Sequence, residues 1–175
     1  MVNDRLAWHD ARALPETTAS YRLPSPKAPG TAAPDSSITA AEQRLGVVFD
    51  DSYLRVIRAV NGWASLAVTL NFFAVEDLGT EDSSWSANNV GANAYFDSEE
   101  DEVVEVPPGH ARVMLAADHE TARYLVAMIA TDGRESQSVC YDCQSGYDLE
   151  YPSFEAWLAA TIANAHEFIA DELKA

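Results

Sequence analysis

Residues 38–62, ITAAEQRLGVVFDDSYLRVIRAVNG, decide the fold, because they set two short helices one after the other with a glycine behind each. In the first, SITAAEQRLG, Ile38, Ala41 and Leu45 recur at helical spacing, and Thr39 and Glu42 have the spacing of a capping box. Gly46 stands where the chain needs a left-handed stop. The second, DDSYLRVIRAVNG, starts on Asp50 or Asp51 and buries Tyr53, Leu54, Ile57 and Val60 along one stripe. Its Asn61-Gly62 suits a left-handed C-terminal cap.

Downstream of Trp63 the hydrophobic period changes from about 3.6 to 2. SLAVTLNFF, ARVMLAAD, ARYLVAMI and SVCYDC read as strands, and QSGYDLEY reads as a turn with a hairpin partner. The last segment, PSFEAWLAATIANAHEFIADELKA, predicts an amphipathic helix capped by Ser153. Its apolar face is Phe154, Trp157, Leu158, Ile162, Phe168 or Ile169, and Leu173. Helices first, strands next and a closing helix imply an α+β domain with a mainly antiparallel sheet flanked by helices. Upstream, residues 15–37 hold five prolines among Ala, Ser and Thr, which cannot continue a helix or a ladder. The expected organisation is a short N-terminal helix and Pro/Ala-rich arm over 1–34, then one domain over 35–175. No internal repeat is present in the sequence.

The order of these elements and several of their residues resemble the SUKH superfamily, the Smi/Knr-type domains. The opening signature matches at Ile38, Glu42, Leu45, Gly46, Phe49, Tyr53, Ile57, Asn61 and Gly62, and the closing helix at Ser153, Phe154, Glu155, Trp157 and Leu158. The resemblance covers about residues 35–160. Where the family often has Pro this chain has Asp50, which can cap the same helix start. The acidic stretch SSWSANNVGANAYFDSEEDEVVE has no family pattern to match. What the resemblance implies is mostly a role without catalysis. Bacterial members look like immunity proteins, encoded beside toxin domains delivered by contact-dependent or secretion systems, and they protect the producer in interbacterial competition by binding the cognate toxin. Other members act as intracellular scaffolds or regulatory adaptors. The matched residues serve backbone geometry and core filling, so they name the fold and not the site.

Charge speaks to the partner. The chain has 11 Lys and Arg against 28 Asp and Glu, a formal charge of −17, and the excess is unevenly spread. No Lys or Arg lies between Arg58 and Arg112, a span holding ten acids: Glu76, Asp77, Glu81, Asp82, Asp97, Glu99, Glu100, Asp101, Glu102 and Glu105. A second gap runs from Glu135 to Leu173, with eight acids. Such a field repels nucleic acid and anionic membrane surfaces and attracts a basic protein. No apolar run reaches the roughly 18 residues of a membrane span, and the start lacks a basic and apolar leader, so a cytoplasmic location is expected.

Three readings stand for the acidic run from Asp97 to Glu105: a solvated loop, a calcium site and a docking surface. The register of DSEEDEVVEVPPG is not that of an EF-hand. Docking gains from the neighbouring aromatics Trp85, Tyr95 and Phe96, since aromatic anchors beside charge are common in interface hot spots, but the same rings read equally well as core. The expected partner-binding set is therefore Glu81, Asp82, Trp85, Asp97, Glu99, Glu100, Asp101, Glu102 and Glu105, facing a basic toxin domain. No cofactor or metal is expected. Cys140 and Cys143 read as buried or edge thiols, and Asp118, His119 and Glu120 as a hairpin turn between two apolar strands. No Gly-rich phosphate loop, nucleophile elbow or zinc-protease helix supports an enzyme.

Overall fold

Proline fixes where the first helix begins. In the computed structural model, which describes residues 27–67, 69–81, 83–96, 105–118, 120–133, 138–144 and 147–172, Pro34 is extended and α1 runs Asp35–Leu45 directly after it. The helix has no side-chain cap, so the expected Thr39–Glu42 capping box is not formed: Thr39 already lies inside the helix. Glu42 instead reaches past the helix end and accepts the Phe49 N–H at 3.0 Å. Gly46 supplies the left-handed stop at φ 67°, its N–H donating to the Glu42 carbonyl. The N-terminal helix and most of the arm expected over 1–34 lie outside the described residues, as do Leu173 and the side chains of Phe168 and Ile169.

Helix α2, Asp51–Ile57, is capped by Asp50, whose Oδ1 accepts the Tyr53 N–H at 3.0 Å. Its Oδ2 accepts the Ser138 N–H, also at 3.0 Å, so one buried carboxylate starts α2 and fixes the beginning of a distant strand. The helix ends at Ile57, with Arg58 still right-handed, and not at Asn61-Gly62 as the sequence suggests. Asn61 and Gly62 instead build a crossing. The Asn61 side chain accepts the Val75 N–H and donates to Glu76, while the Gly62 carbonyl accepts the Gly30 N–H at 2.8 Å. Gly62 has φ 80°, and a Cβ there would stand 2.9 Å from the Ala74 nitrogen. At Gly46, by contrast, nothing lies within 4 Å of that position. Gly62→Val should therefore lower the melting temperature more than Gly46→Ala. The first carries a steric clash on top of the roughly 1 kcal/mol conformational cost that both share. Equal melting temperatures for the two variants would contradict this reading of the crossing.

Six strands follow: β1 Trp63–Ala67, β2 Leu70–Phe72, β3 His110–Asp118, β4 Arg123–Ala130, β5 Val139–Gln144 and β6 Tyr147–Tyr151. They form one antiparallel meander in the order β1-β2-β3-β4-β5-β6. SLAVTLNFF, which reads as one strand, is split between β1 and β2. A period-2 pattern cannot distinguish a strand from a tight hairpin whose turn is also made of β-formers. The Asn71 side chain accepts the Ser65 N–H at 3.0 Å and pins this reversal. Two more helices complete the domain among the described residues: α3, Ser84–Phe96, between β2 and β3, and α4, Phe154–Glu172, after β6. Ser153 caps α4 as expected, accepting the Ala156 N–H at 3.2 Å.

Helices cover both faces of the sheet. Register alternation puts Arg123, Leu125, Cys140 and Asp142 on one face, and Tyr124, Val126, Tyr141 and Cys143 on the other. On the first face α2 and α4 pack through a run of rings. Tyr53 stands edge-on to Phe154 at 5.1 Å, and Phe154 lies 5.2 Å from Trp157, all three buried. On the second face α3 packs through Trp85, Ala92 and Phe96. Among the described residues, α3 thus packs on the face of the sheet opposite α4.

Candidate partner-binding surface

Helix α3 carries no charged residue over its 13 positions, SWSANNVGANAYF, although it lies in the middle of the most acidic span of the chain. That composition is poor in strong helix formers, so the helix depends on its inner face. There Trp85 is buried, with its Nε1 donating to the Met114 carbonyl at 2.8 Å, and the Arg112 guanidinium stands 4.4 Å over the Phe96 ring. Gly91 lets the helix approach Tyr124 closely, since a Cβ would meet the phenol oxygen. Ser83 stabilises the start, accepting the Ser86 N–H. Ser84, Ala87, Val90 and Ala94 face outward, and Val90 is 69% exposed.

The structure distributes the expected partner-binding residues unequally. Glu81 is exposed in the turn leading into α3, and Glu105 is exposed on the approach to β3. Asp82, Asp97, Glu99, Glu100, Asp101 and Glu102 lie outside the described residues. Trp85 requires a correction: its ring fills the space between α3 and β3 and its one polar atom is already satisfied, so it offers no anchor to a partner. The acids before and after α3 are separated along the chain by the whole helix, roughly 18 Å of axis at the usual rise. In sequence, the carboxylates therefore fall before and after a helix that carries no charge of its own. Those at 97–102 follow directly in sequence on a helix C-terminus whose last turn has no basic residue. Carboxylates at that end gain nothing from the helix macrodipole.

Other polar constellations are structural. Asp118 closes the β3–β4 turn. Burial alone would raise its pKa, but hydrogen bonds from Thr69, the Glu120 N–H and Thr121 outweigh that and hold it below the usual carboxylate range. Its contribution to stability is therefore present above the ordinary Asp range and is lost as pH falls through its lowered folded value. The expected hairpin turn at 118–120 is in place, with His119 outside the described residues. Among the described residues, no group of three or more His, Cys, Asp and Glu side chains could hold a metal ion.

Cys140 and Cys143 are free, buried and on opposite faces of β5, so they can neither join each other nor share a ligand. Burial, with Asp50 adding to it, pushes the Cys140 thiol up to about 12, and burial and Asp148 push Cys143 up as well. Both stay protonated at neutral pH. The native protein should leave a thiol-exchange reagent almost unreacted at about pH 8 and titrate both thiols on denaturation. Fast modification of the native chain would move one cysteine to the surface.

The element order, the Gly46 and Asn61-Gly62 geometry and the closing aromatic helix define a small α+β domain of the SUKH kind. The chain belongs to the SMI1 / KNR4 family (SUKH-1), whose model matches residues 32–160, from just before α1 into α4. Members of this family are commonly immunity proteins. Comparison with curated proteins gives no match. Among the described residues no helix is long and apolar enough to cross a membrane.

Proposed function

We propose that this protein is an immunity protein that binds a cognate bacterial toxin or effector domain and neutralises it by covering its active site or substrate-binding surface, without catalysis of its own. The observation that carries this reading is the distribution of charge along the sequence: ten acids and no Lys or Arg between Arg58 and Arg112, on either side of the uncharged helix α3. Acids in such a rim speed encounter with a basic partner and exclude wrong ones, while the dry centre of an interface provides the dwell time. Glu81, exposed before α3, and Glu105, exposed before β3, fit the rim, with Asp82 and the run from Asp97 to Glu102 near them in sequence. Val90 and Ala87 fit the centre.

The test is co-expression with candidate toxin domains taken from the genes that neighbour this one, scored for growth. Rescue supports immunity, and tight binding with continued growth arrest would assign the scaffold role instead. Within a rescuing pair, replacing Glu99, Glu100, Asp101 and Glu102 by Gln and Asn should leave the melting temperature nearly unchanged. Association should slow, and the difference should shrink as salt rises, because exposed charges are screened over about 8 Å at physiological ionic strength. Wild-type association kinetics in that variant at low salt would remove the acidic run from the interface.

A further inference from the structure

The two edges of the sheet are built differently. At β1 the ladder is irregular: its register shifts between Trp63 and Ala67, Ser65 sits at φ 57°, and the incoming arm runs beside it. The Trp63 indole donates to the Lys27 carbonyl and the Gly30 N–H to the Gly62 carbonyl. Bulging and covering are the usual means of closing an edge to further strands. Among the described residues the β6 edge shows neither a bulge nor a covering strand. It pairs with β5 in five consecutive steps, Gln144↔Tyr147 to Cys140↔Tyr151, without a shift, and in the described sheet no strand lies outside it.

Its three central side chains are exposed and already positioned. Asp148, Leu149 and Glu150 are all exposed, Leu149 at 41%. Asp148 accepts the Tyr95 hydroxyl at 3.0 Å, and Glu150 is hydrogen-bonded to Tyr141, its partner across the ladder. Both acids lie on the face that carries α3, and Tyr95 is the last residue but one of that helix. The β6 edge is therefore continuous with the end of α3 from which the acidic run departs in sequence. No Lys or Arg occurs between Glu135 and Leu173 to neutralise it.

We propose that the outer edge of β6 accepts a basic, extended segment of the partner protein, added to the sheet as a further strand. A second copy of this chain does not fit, because antiparallel β6–β6 pairing centred on Leu149 would oppose Asp148 to Glu150 twice, and like charges directly opposite destabilise a ladder. An extended segment alternating Lys or Arg with uncharged residues meets the same positions with opposite charge, while the main-chain bonds supply affinity. The inference rests on reading the chain as a protein-binding module, and it adds a surface that the α3 face does not include.

The test uses the full chain and two labelled peptides of about nine residues, followed by fluorescence anisotropy at low salt. One alternates Lys and Thr; the other has the same charge, with two Thr replaced by Pro so that it cannot form a ladder. The alternating peptide should bind at least about tenfold more tightly, a difference of about 1.4 kcal/mol. It should slow amide hydrogen exchange in β6 and not in β1, and Glu150→Lys should abolish the preference while leaving the melting temperature within a few degrees. Equal binding of the two peptides would show that the acids attract charge without forming a strand site and would overturn the proposal. So would an unchanged preference in Glu150→Lys, protection at β1, or no binding. Because no toxin enters this experiment, its failure leaves the growth-rescue test of immunity independent.

Discussion

Trp157→Ala should lower stability by about 3–5 kcal/mol, the range for deleting a fully buried Trp. The ring is 0% exposed and lies against Phe154, which continues the aromatic run to Tyr53 and Phe72. Alanine leaves a cavity where α4 meets the sheet. It also removes the Nε1 donor from Asp142, a carboxylate only 1% exposed. For a chain of this size the loss corresponds to a fall of about 6–20 °C in melting temperature. Trp157→Phe separates the two effects, keeping most of the apolar area and losing the donor, and should cost about 1–2 kcal/mol. Val90→Ala, on the exposed face of α3, should stay within about 0.5 kcal/mol of wild type. Denaturant unfolding of the three variants checks the order. A Trp157→Ala protein as stable as Val90→Ala would mean that α4 does not sit where the structure puts it.

Positions that obey a simple spatial rule were legible in the sequence. Gly46 is left-handed because a helix must stop there, Ser153 caps because the α4 stripe begins behind it, and Tyr53, Ile57 and Trp157 are buried because they share helical stripes. What the sequence obscured has physical causes. Helix α3 has no charges to mark its outer side and many small residues, so its period is faint, and Trp85 beside a run of acids read as well as a surface anchor as it did as core. The end of α2 was misplaced because Asn61-Gly62 is a left-handed cap sequence used here for a crossing between Gly30 and Val75. Asp50 was legible as a cap, but its second bond, to the Ser138 N–H, joins residues 88 apart and leaves no local trace. The same limit hid the Arg123–Asp142 pair. Of the candidate surface, the charge imbalance was visible in composition, whereas the β6 edge emerges only once the strand order is known.

The Arg123–Asp142 pair should show the other large effect. Arg123 donates through Nε to Oδ1 at 2.8 Å and through Nη2 to Oδ2 at 2.6 Å, a two-pronged contact, while Trp157 donates to Oδ2 at 2.8 Å. The Asp142 side chain is 2% exposed and that of Arg123 is 20% exposed, so the carboxylate depends on these donors and not on water. Arg123→Met keeps the long stem and removes the charge, leaving a buried carboxylate with the indole as its remaining described donor. Breaking one side of a buried pair costs about 3–5 kcal/mol. Asp142→Asn in the same chain removes the stranded charge yet keeps an oxygen for the Trp157 N–H. The double variant should then be more stable than Arg123→Met alone, with a coupling of about 1–3 kcal/mol between the two sites. This outcome separates an electrostatic cost from a packing cost, because lost packing of the arginine stem would be the same in both backgrounds. Additive losses in denaturant unfolding would assign the effect to packing. A double variant more stable than Arg123→Met would show that the pair holds β4, β5 and α4 together through the charge it neutralises.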